Sequence, residues 1–188
     1  ELIAVNQLET SILSFSSAVR NNLHFGAIDL DGLRINMITY LGEEESNLDQ
    51  FVNKLAVSPR SDKSKSTFMM TAETINIENS FYVIKDENKN SQIDFDELFL
   101  TTSDFLIEGP NVSMIIDQLR FVNQKGFRVK NFSSGFSYTL TYMIFKDINL
   151  TTETSEVNGQ LRFDYKREDL KDFNNKVKAS ANFENMSL

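Results

Sequence analysis

The sequence predicts a mainly β fold: an elongated antiparallel meander forming a curved, groove-like sheet, with one or two short amphipathic helices. Three observations predict it. From Thr67 onward, apolar and polar residues alternate with a period of two through most of the chain. Gly is scarce at 7 and Pro at 2, while Phe reaches 16 of 188 residues. That composition favours long strands with polar turns over a sandwich rich in turn glycines. Only Asn47 to Val57 carries a clear helical stripe, and a single helix cannot cover so many strands.

The elements follow in chain order. Leu2 to Val5, then Leu8, Ile12, Leu13 and Phe15, reads as a strand running into a short helical or irregular segment. Leu23 to Leu30 is a second strand. Asp31-Gly32 signals a two-residue hairpin into a third strand, Leu33 to Leu41. There Leu33, Ile35 and Met37 alternate with Arg34, Asn36 and Ile38. In the helix, Leu48, Phe51, Val52 and Leu55 form one apolar stripe. Ser46 or Asn47 caps its start, and Asp49 lies in the first turn. Residues 1–57 thus read as a first strand-strand-helix repeat, and 58–66, the most polar stretch, as an exposed loop.

Residues 67–188 read as the meander, and the whole chain as one β-rich segment. Phe68, Met70 and Ala72 alternate with polar residues, and the apolar register then switches at Ile75 and Ile77. A one-residue switch predicts a bulge or a change of buried face. Further strands are predicted at Phe81 to Lys85, Ile93 to Leu100, Phe105 to Ile107, Val112 to Phe121 and Phe127 to Phe132. Phe136 to Phe145, Ile148 to Thr152, Val157 to Tyr165 and Val177 to Phe183 follow, with a helical turn at Glu168 to Phe173. The segments starting at Ile75, Leu98 and Ile148 share a weak repeat: two alternating apolar residues, a Thr/Ser/Asn turn, another strand.

Chemistry is sparsely represented. A net charge of −8 argues against nucleic acid as a partner and would repel an anionic membrane surface. With no cysteine, disulfides, thiol catalysis and zinc thiolate sites are excluded. His24 is the single histidine, so no imidazole-based nucleophilic dyad can be assembled; Asp94, Asp96 and Glu97 offer paired carboxylates for acid-base work, but Asp94 and Asp96 share a strand face and read as meeting only solvent. The expectation is a non-enzyme. No window matches a spanning helix and no signal peptide is visible. The sharpest motif is Asp86 to Glu97, which matches the EF-hand calcium loop through Asp86, Asn88, Asn90, Gln92, Asp94 and Glu97, with Ile93 at the apolar position. Against it stand Ser91 where the sharp turn wants Gly, and flanks that read as strands. Calcium is the one cofactor the residues suggest.

A second feature is an aromatic-rich face. Phe136, Tyr138, Leu140, Tyr142 and Ile144 line up opposite Ser137, Thr139 and Thr141; Val112, Met114 and Ile116 do so on the preceding strand, and Phe68 and Met70 on an earlier one. This is either a packed core or an apolar face left open for acyl chains.

Several patterns run along the chain: Gly32-Leu33 with Ile35, Tyr40-Leu41-Gly42-Glu43, and Ser46-Asn47-Leu48 with Phe51. Further on come Lys125-Gly126-Phe127, then Ser155 with Gly159, Leu161, Phe163 and Tyr165, and Asp172-Phe173 with Val177. Together they resemble the region following the membrane anchor of AsmA-like proteins, within them the TamB (translocation and assembly module) branch of Bacteroidetes-type bacteria. The resemblance implies a segment of a longer chain that is tied to the inner membrane by a helix absent here. It implies a periplasmic β-groove shielding phospholipid acyl chains between the two membranes, and an outer-membrane assembly partner of the Omp85 type reached through the rest of the chain. No cofactor follows from it. The alternatives are a calcium-binding β-domain with a surface or adhesion role, and a purely structural scaffold segment.

Overall fold

The computed structural model describes residues 2–13, 22–50, 68–166 and 173–187. The strands are β1 (Ile3–Ala4), β2 (Gln7–Ile12), β3 (Asn22–Asp31), β4 (Arg34–Thr39), β5 (Met69–Asp86) and β6 (Ser91–Glu108). They continue with β7 (Asn111–Asn123), β8 (Arg128–Tyr138), β9 (Tyr142–Thr152), β10 (Glu156–Asp164) and β11 (Lys178–Ser187). A helical start at 47–50 (α1) and a single turn at Phe173–Lys176 (α2) are the helices among the described residues. All the strands belong to one large, mostly antiparallel sheet that does not close into a barrel.

From β5 to β11 the sheet is a plain meander, each strand pairing with the next. The start of the chain is arranged differently from the expectation. Asp31-Gly32 does not turn a hairpin. Both β3 and β4 run parallel to β5 in one unbroken register, Asp31 beside Glu78 and Arg34 beside Phe81. They are two halves of one strand bent at Gly32, whose φ of 64° lies in the left-handed region. Asn79, next to Gly32 in that register, also has a positive φ of 48°. The reason is tertiary: a type I′ turn would fold β4 back on β3, whereas the matched bend lets both halves pair along the 18-residue β5. β1 and β2 pair antiparallel with β4 and β3 in the same split fashion.

The connection from β4 back to β5 includes α1. Ser46 caps it: its Oγ accepts from the Asp49 amide at 3.2 Å, and Asp49 Oδ2 accepts from the Ser46 amide at 3.0 Å, a reciprocal capping pair. Asn47 reaches sideways instead. Its Oδ1 accepts from Ile38 N at 2.9 Å and its Nδ2 donates to Asn36 O at 2.8 Å, covering the edge of β4 that the short β1 leaves bare. The remainder of the expected helix to Val57, the 58–66 loop, and 168–172 of the expected turn lie outside the described residues. Here α2 begins at Phe173, the last residue of the expected turn.

Several expected strands merge. Phe81 to Lys85 continues β5, Ile93 to Leu100 and Phe105 to Ile107 are both β6, and Phe127 to Phe132 runs on to Tyr138 as β8. Two of the three repeat segments are therefore not turns but bends within strands. Asn79 lies in the first, and Asp104, with a φ of 52°, in the second. Only the third, past Thr152, is a real hairpin turn. The bends form rows. Pairing skips Gly26, Glu73 and Asp104 on neighbouring strands, and a second row runs through Gly32, Asn79 and Glu97. Bulges at matched heights curve a sheet. The expected switch between Ala72 and Ile75 sits on the first row, beside Asp104.

Candidate functional site: an open apolar face

Side chains of directly paired residues share a face. Leu8 pairs with Leu30, Leu30 with Ile77, Ile77 with Leu100 and Leu100 with Leu119. Leu119 then pairs with Phe132, Phe132 with Leu150, Leu150 with Val157 and Val157 with Met186. An apolar row thus crosses the whole sheet without interruption. At about 4.8 Å per strand it spans roughly 38 Å along the arc. A second row runs from Leu23 through Met70, Ile107, Val112, Tyr138, Met143 and Phe163 to Ala179. The opposite face reads Glu9, Asp29, Asn76, Thr101 at the height of the first row, all polar.

Burial along the apolar face is graded. Its floor holds Ala72, Ser80, Thr102, Ile116, Ser134 and Ile148, all 8% exposed or less. The flanking aromatic and aliphatic side chains are half-buried. Rim residues are open: Leu8 at 57%, Phe183 at 50% and Met186 at 54%. In a flat single sheet nothing would cover Thr102 at 1%. Its burial requires the face to curl so that neighbouring side chains lean over it. Small residues at the floor make room for that curl. Their hydroxyls turn to the backbone where they can: Ser134 Oγ donates to Lys146 O at 2.7 Å, while Ser80 Oγ donates to Glu78 O and accepts from Leu33 N at 2.9 Å. Thr102 Oγ1 has no partner among the described residues.

Rings populate the walls. Phe95 stacks on Tyr82 at 5.9 Å and meets Phe121 edge-on at 4.8 Å; Phe145 touches Phe132 at 6.0 Å and Phe136 at 5.0 Å. Tyr165 lies 6.2 Å from Tyr138 and donates its hydroxyl to Thr139 O at 3.0 Å. Burial raises the Tyr82 phenol above its usual value. Tyr165 is pushed up to about 12, first by burial and then by Tyr138. Both shifts have the sign of a low-dielectric surface.

Of the sequence-predicted lining, Met70, Val112, Met114, Ile116, Phe136 and Tyr138 share this face, while Phe68 precedes β5 outside the paired register and is 43% exposed. Leu140, Tyr142 and Ile144 do not. The chain turns at Thr139, whose Oγ1 accepts from the amides of Thr141 and Tyr142 at 3.2 and 3.1 Å. What reads as one long alternating strand is two strands and a tight turn. Leu140 sits in the turn, 41% exposed. Ile144 pairs with Ser137 on the polar face, and Tyr142 lies there under the Arg162 guanidinium at 4.4 Å. The sequence hides this turn because Thr-Leu-Thr contains no Gly, Pro, Asn or Asp. Lining residues that the sequence pattern misses include Leu100, Leu119, Phe121, Phe132, Phe145 and Leu150. Each lies on a strand that alternation does find, beside a bulge that alternation does not place.

The Asp86 to Glu97 segment is a hairpin between β5 and β6. Asp86 Oδ1 accepts from the amides of Asn88 and Lys89 at 3.0 and 3.2 Å, and Lys89 is the largest cause of its lowered pKa. Asn88 faces the chain after β4, donating to Tyr40 O and Glu43 O and accepting from Gly42 N. Gln92 and Asp94 lie along β6, joined by a 3.1 Å hydrogen bond, while Glu97 sits in a bulge and pairs with Arg128 at 3.0 Å. Asp94 is buried at 8% exposed, against the expectation of a solvated carboxylate; it pairs with Val83 on the polar face, and its Oδ1 has no hydrogen-bond partner among the described residues. Asn90 ends the turn with a φ of 49°. The predicted ligands are therefore spread along a hairpin and not gathered around a point. Among the described residues, no group of three or more His, Cys, Asp or Glu is placed to hold a metal ion. His24 Nδ1 lies 2.9 Å from Thr71 Oγ1 on the polar face.

No helix among the described residues is long and apolar enough to cross a membrane. Comparison with known proteins adds no relative: no family model and no curated protein matches this chain.

Proposed function

We propose that this chain is a lipid-shielding segment of a larger transfer or assembly protein, its apolar face holding phospholipid acyl chains away from water. The observation that carries this reading is the unbroken row from Leu8 to Met186, apolar in each of the nine strands it crosses and exposed at both rims. An exposed apolar patch of this extent normally marks a binding surface. Water contact costs an acyl chain about 0.8 kcal/mol per methylene, so a continuous apolar trough removes most of the barrier to lipid movement without a cofactor or a covalent step. A wall of half-buried Leu, Ile and Phe side chains distinguishes poorly between head groups. The reading is of a binding and conducting role, not an enzymatic one. The likeness to AsmA-like and TamB proteins supports the same role. It adds a periplasmic setting, an inner-membrane tether and an Omp85-type partner outside this segment as parts of the proposal.

The test places a photo-crosslinking residue at Phe136, on the apolar face, or at Ser137, on the polar one, in protein purified from bacterial membranes. Mass spectrometry then reads what each has captured. Phospholipid adducts at Phe136 and none at Ser137 are expected. Absence of lipid at both positions, with a folded protein, would leave a structural scaffold.

A further inference from the structure

The polar face carries a second concavity. The bulge row through Asn79 and Glu97 opens a cleft of about 590 Å³ across β5 to β8. Phe81, Phe99 and three cations line it on the polar face, and the lining also takes in Leu98, Phe121 and Val129, which alternate onto the apolar face. On the β5 side Phe81 is 40% exposed, with the Arg34 guanidinium 5.7 Å above its ring. On β6, Phe99 carries the Arg120 guanidinium at 4.1 Å. Lys130, in the bulge of β8, stands beside Arg120, because Leu119 pairs with Phe132 and Phe121 with Val129. Arg128 is already matched, 3.0 Å from Glu97 and 3.8 Å from Glu153. Arg120 and Lys130 have no carboxylate partner among the described residues. Glu78, also on the lining, belongs to β5, two strands and roughly 10 Å from Arg120.

In a chain of net charge −8, two adjacent uncompensated cations are conspicuous. The Phe99 ring under the Arg120 guanidinium restrains it by a cation–π contact, and a restrained guanidinium fork suits two-point recognition of an oxyanion. We propose that this cleft binds a phosphate monoester attached to an apolar or aromatic body. The dianion matches Arg120 and Lys130, and the body lies against Phe81. The site is on the face opposite the lipid-shielding surface and stands whether or not that surface carries lipid. The phosphate belongs either to a soluble ester or to a lipid head group.

Amide NMR titrations with phenyl phosphate and with inorganic phosphate test the site. Flotation with phosphatidylcholine vesicles containing phosphatidic acid separates the two sources. Phenyl phosphate is expected to saturate shifts at Phe81, Phe99, Arg120 and Lys130. A variant carrying both Arg120→Gln and Lys130→Gln should bind it about tenfold more weakly or worse. Phe81→Ala should weaken phenyl phosphate and leave inorganic phosphate unchanged. Flotation lost in the double variant assigns a head group; phenyl phosphate binding without flotation assigns a soluble ester. Failure of both phenyl phosphate and vesicles to bind the native chain overturns the proposal. So does unchanged binding by a double variant whose spectrum shows it folded.

Discussion

Tyr165 closes one end of the apolar face, 6% exposed, and its phenol titrates at about 12 against an ordinary value of 10.0. The folded chain therefore holds this proton more tightly than the unfolded chain. Its contribution to stability is complete below pH 10 and is lost as pH rises toward 12. Tyr165→Phe should cost about 1 kcal/mol at neutral pH, through the lost hydrogen bond to Thr139 O. The same variant should lose less stability between pH 10 and 12 than the parent, in urea unfolding followed across that range. An equal alkaline slope in both proteins would show that Tyr165 is not the group. Gly159 makes a second residue-level point. A Cβ there would press on the Asn182 carbonyl oxygen and on Phe183 Cα, both backbone atoms of β11. Gly159→Ala should cost about 1–3 kcal/mol as an overpacked contact. The loss should appear as faster amide exchange along β11, with β5 to β7 unchanged.

At the scale of elements, most of the strands are legible because alternation is a local signal, and most of their boundaries are not. The obstacle is the bulge. Where a strand bends, the apolar side chains step by three residues in place of two: Phe25 to Ile28, Ala72 to Ile75, Ile116 to Leu119, and Phe145 to Ile148. One such step, at Ala72, reads as a switch of face within a single strand. Only its recurrence on adjacent strands reveals that the face is kept while the backbone bends. Conversely, Tyr138 to Tyr142 keeps its alternation through a turn, so periodicity alone joins two strands that the Thr139 side chain separates. The Asp31-Gly32 pair is a true left-handed signal whose meaning is set by a partner far along the chain, Asn79. A similar long-range role falls to Asn47, which reads as a helix cap and acts as an edge cover. Asn47→Ala removes its bonds to Ile38 N and Asn36 O and should cost about 1–3 kcal/mol. Asn47→Asp keeps an acceptor for Ile38 N and should fall between the two in denaturant unfolding. Equal stability of all three proteins would show that water serves the β4 edge as well as Asn47 does.

For the whole molecule the question is whether the apolar face is a surface or a core. The chain exposes 12731 Å², where a compact monomer of 21.6 kDa exposes about 9200 Å². A sheet with one face uncovered accounts for an excess of this sign. The distinction can be made by charge. Phe136 is half-buried on the apolar face, paired with Met114 and Phe145 and in ring contact with the latter. In a filled core, Phe136→Asp would bury an unpaired carboxylate and cost at least about 3–5 kcal/mol through the lost ring alone. On an open trough the carboxylate stays hydrated, and only the partial burial of one ring is lost, about 1–2 kcal/mol. The same substitution interrupts the apolar surface, so binding of an apolar dye or a lysolipid should fall well below that of a Ser137→Asp control on the polar face. A small stability loss together with a large binding loss is the expected pair. A large stability loss with no dye binding by the parent chain would mean that the face is covered, and the lipid-shielding role would fall with it.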